Sequence, residues 1–297
     1  MDRLQARLQP GARPLLLDGA LGTQLESQGI PMPAPLWSAA ALRSHPGMVQ
    51  ALHTAYLHAG AEVITTNTFR THARTVGNAA DARALTAQAV ALANAARAQT
   101  NPAAWVAGSV APLEDCYRPD LTPGPATCAH EHAQHIAHLA EAGVDLLLIE
   151  TMNTAHEAAA AAQAAQAHHL PFFVSFVLQD TTHILSGETL RAAVETVAPY
   201  APWAVLVNCI PARHIVAALA HLRTLTALPI GAYGNMDTPA DVAGWAAAPR
   251  QAATDYCHTA REWLAVGAQI IGSCCGSSPA HTRALADHLH NPATPDR

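Results

Sequence analysis

Short apolar runs alternate with long Ala-rich stretches along most of the chain. The apolar runs occupy residues 14–18, 62–67, 105–110, 145–150, 172–177, 204–208, 229–233 and 269–274, and each reads as a strand. Helical patterns lie between and after them, at 46–59, 81–99, 127–142, 155–168, 189–198, 215–225, 252–266 and 279–289. The run Asp145-Leu146-Leu147-Leu148-Ile149 is almost continuously apolar, as expected of a strand covered on both faces. Ser278 before Pro279 predicts a helix N-cap with proline at the first helical position. Eight strand–helix alternations predict a (β/α)8 TIM barrel, forming one domain over residues 1–297. The alternative is a doubly wound sheet. It needs fewer strands and usually a Gly-rich phosphate turn, and no G-x-G-x-x-G occurs. The Pro- or Gly-rich segments 30–46, 113–127 and 235–251 are then βα loops on the active-site face.

Composition sharpens this picture. The chain is 50% hydrophobic and 13% charged, which permits a large core and argues against disorder. A net charge of -6 with no basic block argues against a nucleic-acid partner. All sixteen basic residues are Arg, which excludes a Schiff-base, pyridoxal phosphate or P-loop lysine. Without an apolar region near Met1 or an uninterrupted apolar run of membrane length, the chain reads as cytoplasmic, with no membrane partner. Six Cys in a reducing compartment argue against a disulfide framework.

In barrels of this kind catalytic groups sit at the C-terminal ends of the strands. Those ends carry Asp18-Gly19, Thr66-Asn67, Ser109, Glu150, Asn208-Cys209, Asn235 and Cys274-Cys275. Polar groups closing apolar strands so often on one face predict a site. Three thiols at strand ends suit a thiophilic metal, with zinc the first candidate. Buried cysteine is also common as a small hydrophobe, and there is no C-x-x-C pattern. From spacing alone, packing and metal binding both stay open. For Glu150, a structural salt bridge to an Arg is an equal alternative to a binding role.

The combination resembles the homocysteine S-methyltransferase family. The matching pieces are Leu15–Thr23 (LLLDGALGT), Thr65–Phe69 (TTNTF), Gly108–Pro112 (GSVAP), Leu148–Thr151 (LIET), Val207–Cys209 (VNC) and Gly272–Gly276 (GSCCG). They run in the family's order over nearly the whole chain. The resemblance implies that Cys209, Cys274 and Cys275 bind Zn2+, with Asn235 filling the fourth position before substrate arrives. It implies that Asp18, Gly19 and Glu150 hold the amino-acid end of homocysteine, with Thr66, Asn67, Ser109 and Asn208 as further substrate contacts. Two departures lie beside the metal: Ile210-Pro211 after Cys209, where relatives often place a small or polar residue, and Gly234 before Asn235, where proline or alanine is usual.

The chemistry then expected is methyl transfer to a zinc-activated thiolate, giving methionine, with no protein side chain as nucleophile. No folate or cobalamin module is in evidence, which favours a small sulfonium donor, S-methylmethionine or S-adenosylmethionine. Betaine ranks below these, because aromatics are only 5% of the chain and Thr151 follows Glu150 where betaine-using relatives place tyrosine. Another thiol or selenol acceptor is an alternative, and a non-catalytic zinc or thiol-binding barrel is an alternative of another class. His130, His132, His135 and His138 crowd one helix and read as a solvated or partly buried outer face rather than a second metal site. Cys116, Cys128 and Cys257 read as packing or surface thiols, and residues 158–167 as a helix with a small-residue packing face.

Overall fold

The computed structural model describes residues 3–236 and 252–290. Eight parallel strands are found among them: β1 (Leu15–Leu16), β2 (Val63–Thr65), β3 (Trp105–Val110), β4 (Leu146–Met152), β5 (Phe172–Phe176), β6 (Ala204–Pro211), β7 (Ile230–Asn235) and β8 (Ala268–Ser273). Their order is β1-β8-β7-β6-β5-β4-β3-β2. A bridge between Leu17 and Val63 joins the two ends of that order. Glu62 N donates to Leu16 O at 2.9 Å and Asp18 N donates to Val63 O at 3.0 Å, so the sheet closes on itself as a barrel.

Eight outer helices follow the strands: α1 (Pro46–His58), α2 (Ala79–Thr100), α3 (Pro125–Ala142), α4 (Ala155–Ala167), α5 (Leu190–Val197), α6 (Ile215–Leu225), α7 (Ala253–Ala265) and α8 (Pro279–His290). Local chemistry sets several boundaries. Asn78 caps α2, its side chain accepting from Asp81 N at 2.9 Å. Thr189 caps α5 in the same way through Ala192 N at 3.1 Å. Pro125 opens α3, and Gly143, at φ 84°, ends it in the left-handed conformation that glycine adopts without strain. In α4 most alanines are buried, so this helix lies close against β4 and β5. Several short elements were not anticipated, among them a helix at Gly22–Ser27, a 3-10 turn at Trp37–Ala39 and a helix at Ala40–Ser44. These three fold the long β1–α1 connection over the top of the barrel. Of the third long loop, only Asn235 and Met236 lie among the described residues.

Two apolar layers result from the period-2 alternation of buried strands. Leu15, Leu17, Val63, Trp105, Ala107, Leu146, Leu148, Phe173, Ala204, Leu206, Tyr233 and Ile270 cluster inside the barrel. Leu147, Ile149, Phe172, Val174, Val205, Val207, Ala232 and Ile271 belong to the outer layer shared with the helices. No helix among the described residues is long and apolar enough to cross a membrane.

The four-histidine helix requires a correction. His132 and His135 are buried on the inner face of α3. His132 Nε2 lies 3.2 Å from Glu157 Oε1, and both side chains are wholly withdrawn from solvent. His135 Nε2 lies 3.4 Å from Ser109 O. Because α3 packs against β3 and α4, its inner residues are core whatever their polarity. Cys128, Cys257 and Cys116 are also buried, and Cys116 lines the central cavity.

Candidate metal and substrate site

The inward parity of each strand carries on past its apolar layer into polar residues. Leu148 is followed two residues on by Glu150, Phe173 by Ser175, Leu206 by Asn208, and Ile270, through Gly272, by Cys274. These polar positions sit at the C-terminal rim, where a cavity of about 600 Å³ opens. It is lined by Asp18, Gly19, Thr66, Asn67, Ser109, Glu150, Cys209, Cys274 and Cys275, among others. Nine of the eleven residues singled out in the sequence therefore meet at one place. Asn208 and Asn235 are not in the lining.

Parity alone would point Cys209 outward, since its neighbour Asn208 faces in. Two irregularities reverse this. The β6–β7 register shifts between Asn208 and Pro211, and Cys209 adopts φ 55°. Likewise the β4–β5 register shifts between Ile149 and Met152, and Thr151 adopts φ 59°. A left-handed conformation costs a non-glycine residue roughly 1–2 kcal/mol. Here a buried network sustains it. Asn208 Oδ1 accepts from Thr151 N at 3.1 Å and Ser175 Oγ at 2.6 Å, while Asn208 Nδ2 donates to Thr151 Oγ1 at 2.8 Å. Thr151 Oγ1 in turn lies 3.8 Å from Cys209 Sγ. Asn208, expected against substrate, instead braces the cysteine beside it.

The sulfur atoms of Cys209, Cys274 and Cys275 lie within 4.8 Å of one another. Cys209 Sγ and Cys274 Sγ are 3.0 Å apart, too far for a disulfide. A zinc ion with Zn–S of about 2.3 Å needs sulfurs roughly 3.8 Å apart at the corners of a tetrahedron. The three-thiol donor set fits a soft metal, with the Cys209–Cys274 pair opening by less than about 1 Å to reach that spacing. The thiols share protons: Cys209 is held well below the usual thiol range by hydrogen bonds from Cys274 and Cys275. Those two are held well above it, chiefly by the same interaction with Cys209. Asn235 Oδ1 accepts from the backbone N of Cys275, a member of the cluster, at 3.2 Å.

Tyr256 fastens the two strands that carry this corner. Its buried hydroxyl donates to Gly272 O at 2.8 Å and lies 3.1 Å from both Gly234 N and Gly234 O. The two unusual sequence features nearby are physically linked. Residues Ile210–Ala212 fold against β7, and a Cβ at position 234 would lie 3.0 Å from Ala212 Cα and 2.7 Å from Ile215 Cδ1. Glycine at 234 is what lets that segment approach.

Two carboxylates occupy the cavity floor. Asp18 Oδ2 accepts from Thr65 N at 2.8 Å and Oδ1 from Thr65 Oγ1 at 3.0 Å. Burial nevertheless lifts its carboxyl to about 7. Glu150 accepts from Ser109 Oγ at 2.5 Å and Tyr233 Oη at 3.2 Å, with no Arg partner among the described residues. Burial lifts it to about 8 against the pull of those hydroxyls. A cation placed beside these two buried acids would favour their ionised form. Gly19 lies where a Cβ would be 2.8 Å from Ser273 Oγ and Ser277 Oγ, so the β1 loop packs directly on the loop after β8. Thr66 Oγ1 accepts from Ser109 N at 3.2 Å. Both polar ends of the Asn67 amide are taken by Ser38, at 2.8 and 2.9 Å, fastening the β1 loop to β2.

Sequence reading missed Thr151 as a brace, along with Ser175, Tyr233, Tyr256 and Tyr117. Ser175 and Tyr233 were findable, since both continue the inward parity of their strands. Tyr256 lies on α7 and Tyr117 in a loop, where no periodic signal marks them.

This arrangement has counterparts. The chain is 35% identical to the homocysteine S-methyltransferase of Escherichia coli strain K12, over 91% of this chain and 94% of that one. Among solved structures it resembles the oxidized form of the homocysteine methyltransferase MmuM from Escherichia coli, with a TM-score of 0.85 and 30% identity, covering 97% of this chain and 100% of that chain. It also resembles the metallated form of MmuM, with a TM-score of 0.81 and 33% identity, covering 94% and 97%. A sequence profile described as homocysteine S-methyltransferase matches residues 15–289, which takes in both floor carboxylates and all three clustered thiols. With barrel, rim and profile in agreement, the chain belongs to the homocysteine S-methyltransferase family.

Proposed function

We propose that this enzyme transfers a methyl group from a sulfonium donor, S-methylmethionine or S-adenosylmethionine, to the thiolate of L-homocysteine, giving methionine, with zinc as the resident metal. The observation that carries the reading is the meeting of three thiols, from β6 and the end of β8, above a floor of two buried carboxylates. Cys209, Cys274 and Cys275 hold the zinc. Asn235 Oδ1 has a second lone pair beyond the one facing Cys275 N, and would be a further donor to the metal before substrate binds. Bound zinc supplies positive charge that keeps a thiol ionised, and so nucleophilic, at neutral pH.

The protein's own groups do the rest. Glu150, aimed by Ser109 and Tyr233, and Asp18, aimed by Thr65, receive the homocysteine ammonium. Gly19, Thr66 and Asn67 line the cavity beside the amino-acid end. The substrate thiol gives its proton to solvent. Its sulfur then attacks the donor methyl in line; a new S–CH3 bond forms as the old one breaks, and the electron pair returns to the donor sulfur as a neutral thioether. Proximity and a dry, electronegative rim are the protein's contribution to the rate. Three clustered thiols are most readily kept reduced in a reducing compartment, which supports a cytoplasmic location.

The test is a donor panel with homocysteine, following methionine by mass, alongside metal analysis. Zinc near one per chain, with turnover on a sulfonium donor and loss of both metal and turnover in Cys209→Ser, is expected. A metal-free preparation with full activity would end the reading.

A further inference from the structure

We infer that Tyr117 presents the binding face for the positively charged methyl donor, an onium cation held against its ring. This rests on the sulfonium reading above and adds where the donor sits. Three large hydrophobic side chains are exposed among the described residues, Met48, Tyr117 and Leu121. Only Tyr117, 49% exposed, also lines the cavity. Its hydroxyl lies 3.5 Å from the carbonyl oxygen of Cys209, so the ring stands beside the thiol cluster. A large apolar face left open at the rim of a cavity is one that a ligand covers.

The other cavity aromatics are already engaged. The Arg70 guanidinium lies 5.2 Å from the centre of the Phe69 ring, so Phe69 already has a cation. Trp37 packs edge-on against Phe69 at 5.8 Å. Tyr233 is buried, with its hydroxyl on Glu150. Tyr117 is half exposed and carries no guanidinium over its ring among the described residues, and one carboxylate that lines the cavity, Asp115, precedes it on the same loop, while Glu114 is already paired with Arg74 at 3.0 Å. An aromatic face beside an acid suits a cation. It is separate from the acids of the floor, Asp18 and Glu150, which take the acceptor's ammonium in the proposed function.

The loop is also held firmly enough to serve as a fixed wall. Leu113 N donates to the buried Glu157 at 2.8 Å, and Arg70 Nη1 donates to Glu114 O at 2.8 Å. Asn153 Nδ2 donates to Cys116 O at 3.1 Å, and Tyr117 N donates to Asp115 Oδ1 at 2.9 Å. These bonds brace the main chain leading up to the ring, so little ordering is left for the donor to impose. A methyl group on a cation lying against Tyr117 would be next to the metal corner where the acceptor sulfur arrives.

The test compares zinc-loaded wild type with Tyr117→Phe, Tyr117→Leu and Tyr117→Met. S-methylmethionine is titrated by calorimetry without homocysteine, so that no turnover occurs, and steady-state constants are measured for both substrates. Loss of the ring in Y117L and Y117M should weaken S-methylmethionine binding about tenfold, in line with a desolvated cation–π contact. Y117F should stay within about threefold, with zinc content and the homocysteine KM unchanged. Y117M stands in if Y117L does not fold. Unchanged S-methylmethionine affinity in the Leu and Met variants would overturn the inference while leaving the sulfonium reading intact. A loss as large in Y117F, or one falling equally on homocysteine or zinc, would overturn it too. If wild type binds and uses glycine betaine instead, with the same dependence on the ring, the onium face stands and the sulfonium reading falls.

Discussion

Thr151 and Asn208 exchange two hydrogen bonds between the ends of β4 and β6: Thr151 N to Asn208 Oδ1 at 3.1 Å, and Asn208 Nδ2 to Thr151 Oγ1 at 2.8 Å. Each bond spans the gap over β5, whose Ser175 Oγ supplies a third at 2.6 Å. The strained backbone at Thr151 and Cys209 is therefore held by Asn208 and Ser175, neither of which lines the cavity.

Asn208→Ala should uncouple the two strand ends. It leaves Thr151 N and Ser175 Oγ buried without an acceptor, which costs about 1–3 kcal/mol per group. Groups that orient metal ligands typically affect affinity by about 10–100-fold when removed. The expected outcome is a lower melting temperature together with weaker metal retention against a chelator. A variant that melts earlier yet holds metal as tightly as wild type would show that the network supports the fold alone.

Tyr256→Phe should act on the same corner from the opposite side. It removes one hydroxyl that bridges Gly234 and Gly272 and keeps the buried ring and its edge contact with Trp263 at 5.5 Å. A loss of about 1–3 kcal/mol is expected in denaturant unfolding, from Gly234 and Gly272 groups left unpaired. Chelator competition should show weaker metal binding than in Tyr56→Phe. That control removes a hydroxyl bonded to Ala20 O at 2.8 Å, outside the metal corner.

The raised carboxyls give a pH dependence with a definite sign. Asp18 at about 7 and Glu150 at about 8 sit above their ordinary 3.8 and 4.5, so the substrate-free native state holds protons that the unfolded chain has released. Their contribution to stability is full below about pH 4 and is lost as pH rises to about 8. Melting temperature measured without ligand should fall over that window, less steeply in Glu150→Gln. A bound ammonium favours the carboxylates. Homocysteine binding below pH 7 should therefore release protons, measurable by calorimetry in buffers of different ionisation enthalpy, and the release should shrink in Glu150→Gln.

Gly234→Ala tests the link between β7 and the segment after Cys209. The added Cβ meets Ile215 Cδ1 at 2.7 Å and Ala212 Cα at 3.0 Å, one of them backbone that cannot swing away. A destabilisation of about 1–3 kcal/mol is expected from overpacking, read by denaturant unfolding. Stability equal to wild type would mean that Ile210–Ala212 yields freely.

The barrel was legible in the sequence because closed parallel sheets impose a strong pattern: strands covered on both faces must be apolar, and each must be followed by a helix to return the chain. Residues Trp105–Val110 and Ile215–Leu225 form the elements that their patterns indicate. Polar groups at strand ends stand out against such a background, and this is how Asp18, Ser109, Glu150, Cys209, Cys274 and Cys275 could be singled out before any coordinates. What period-2 alternation could not give was the direction of Cys209. Strict parity turns it away from the cavity, and only the shifted register, the left-handed turn and the bonds among Thr151, Ser175 and Asn208 bring its sulfur to 3.0 Å from Cys274. Those contacts join residues 33 and 57 positions apart, and a single sequence carries no signal for them. The same holds for His132 and His135, polar by type and core by location, and for Tyr117, which a loop without periodicity places beside the thiols. The sequence by itself determined which chemistry could be assembled; the tertiary structure decided which side chains aim it, because bulges and long-range hydrogen bonds override the local pattern.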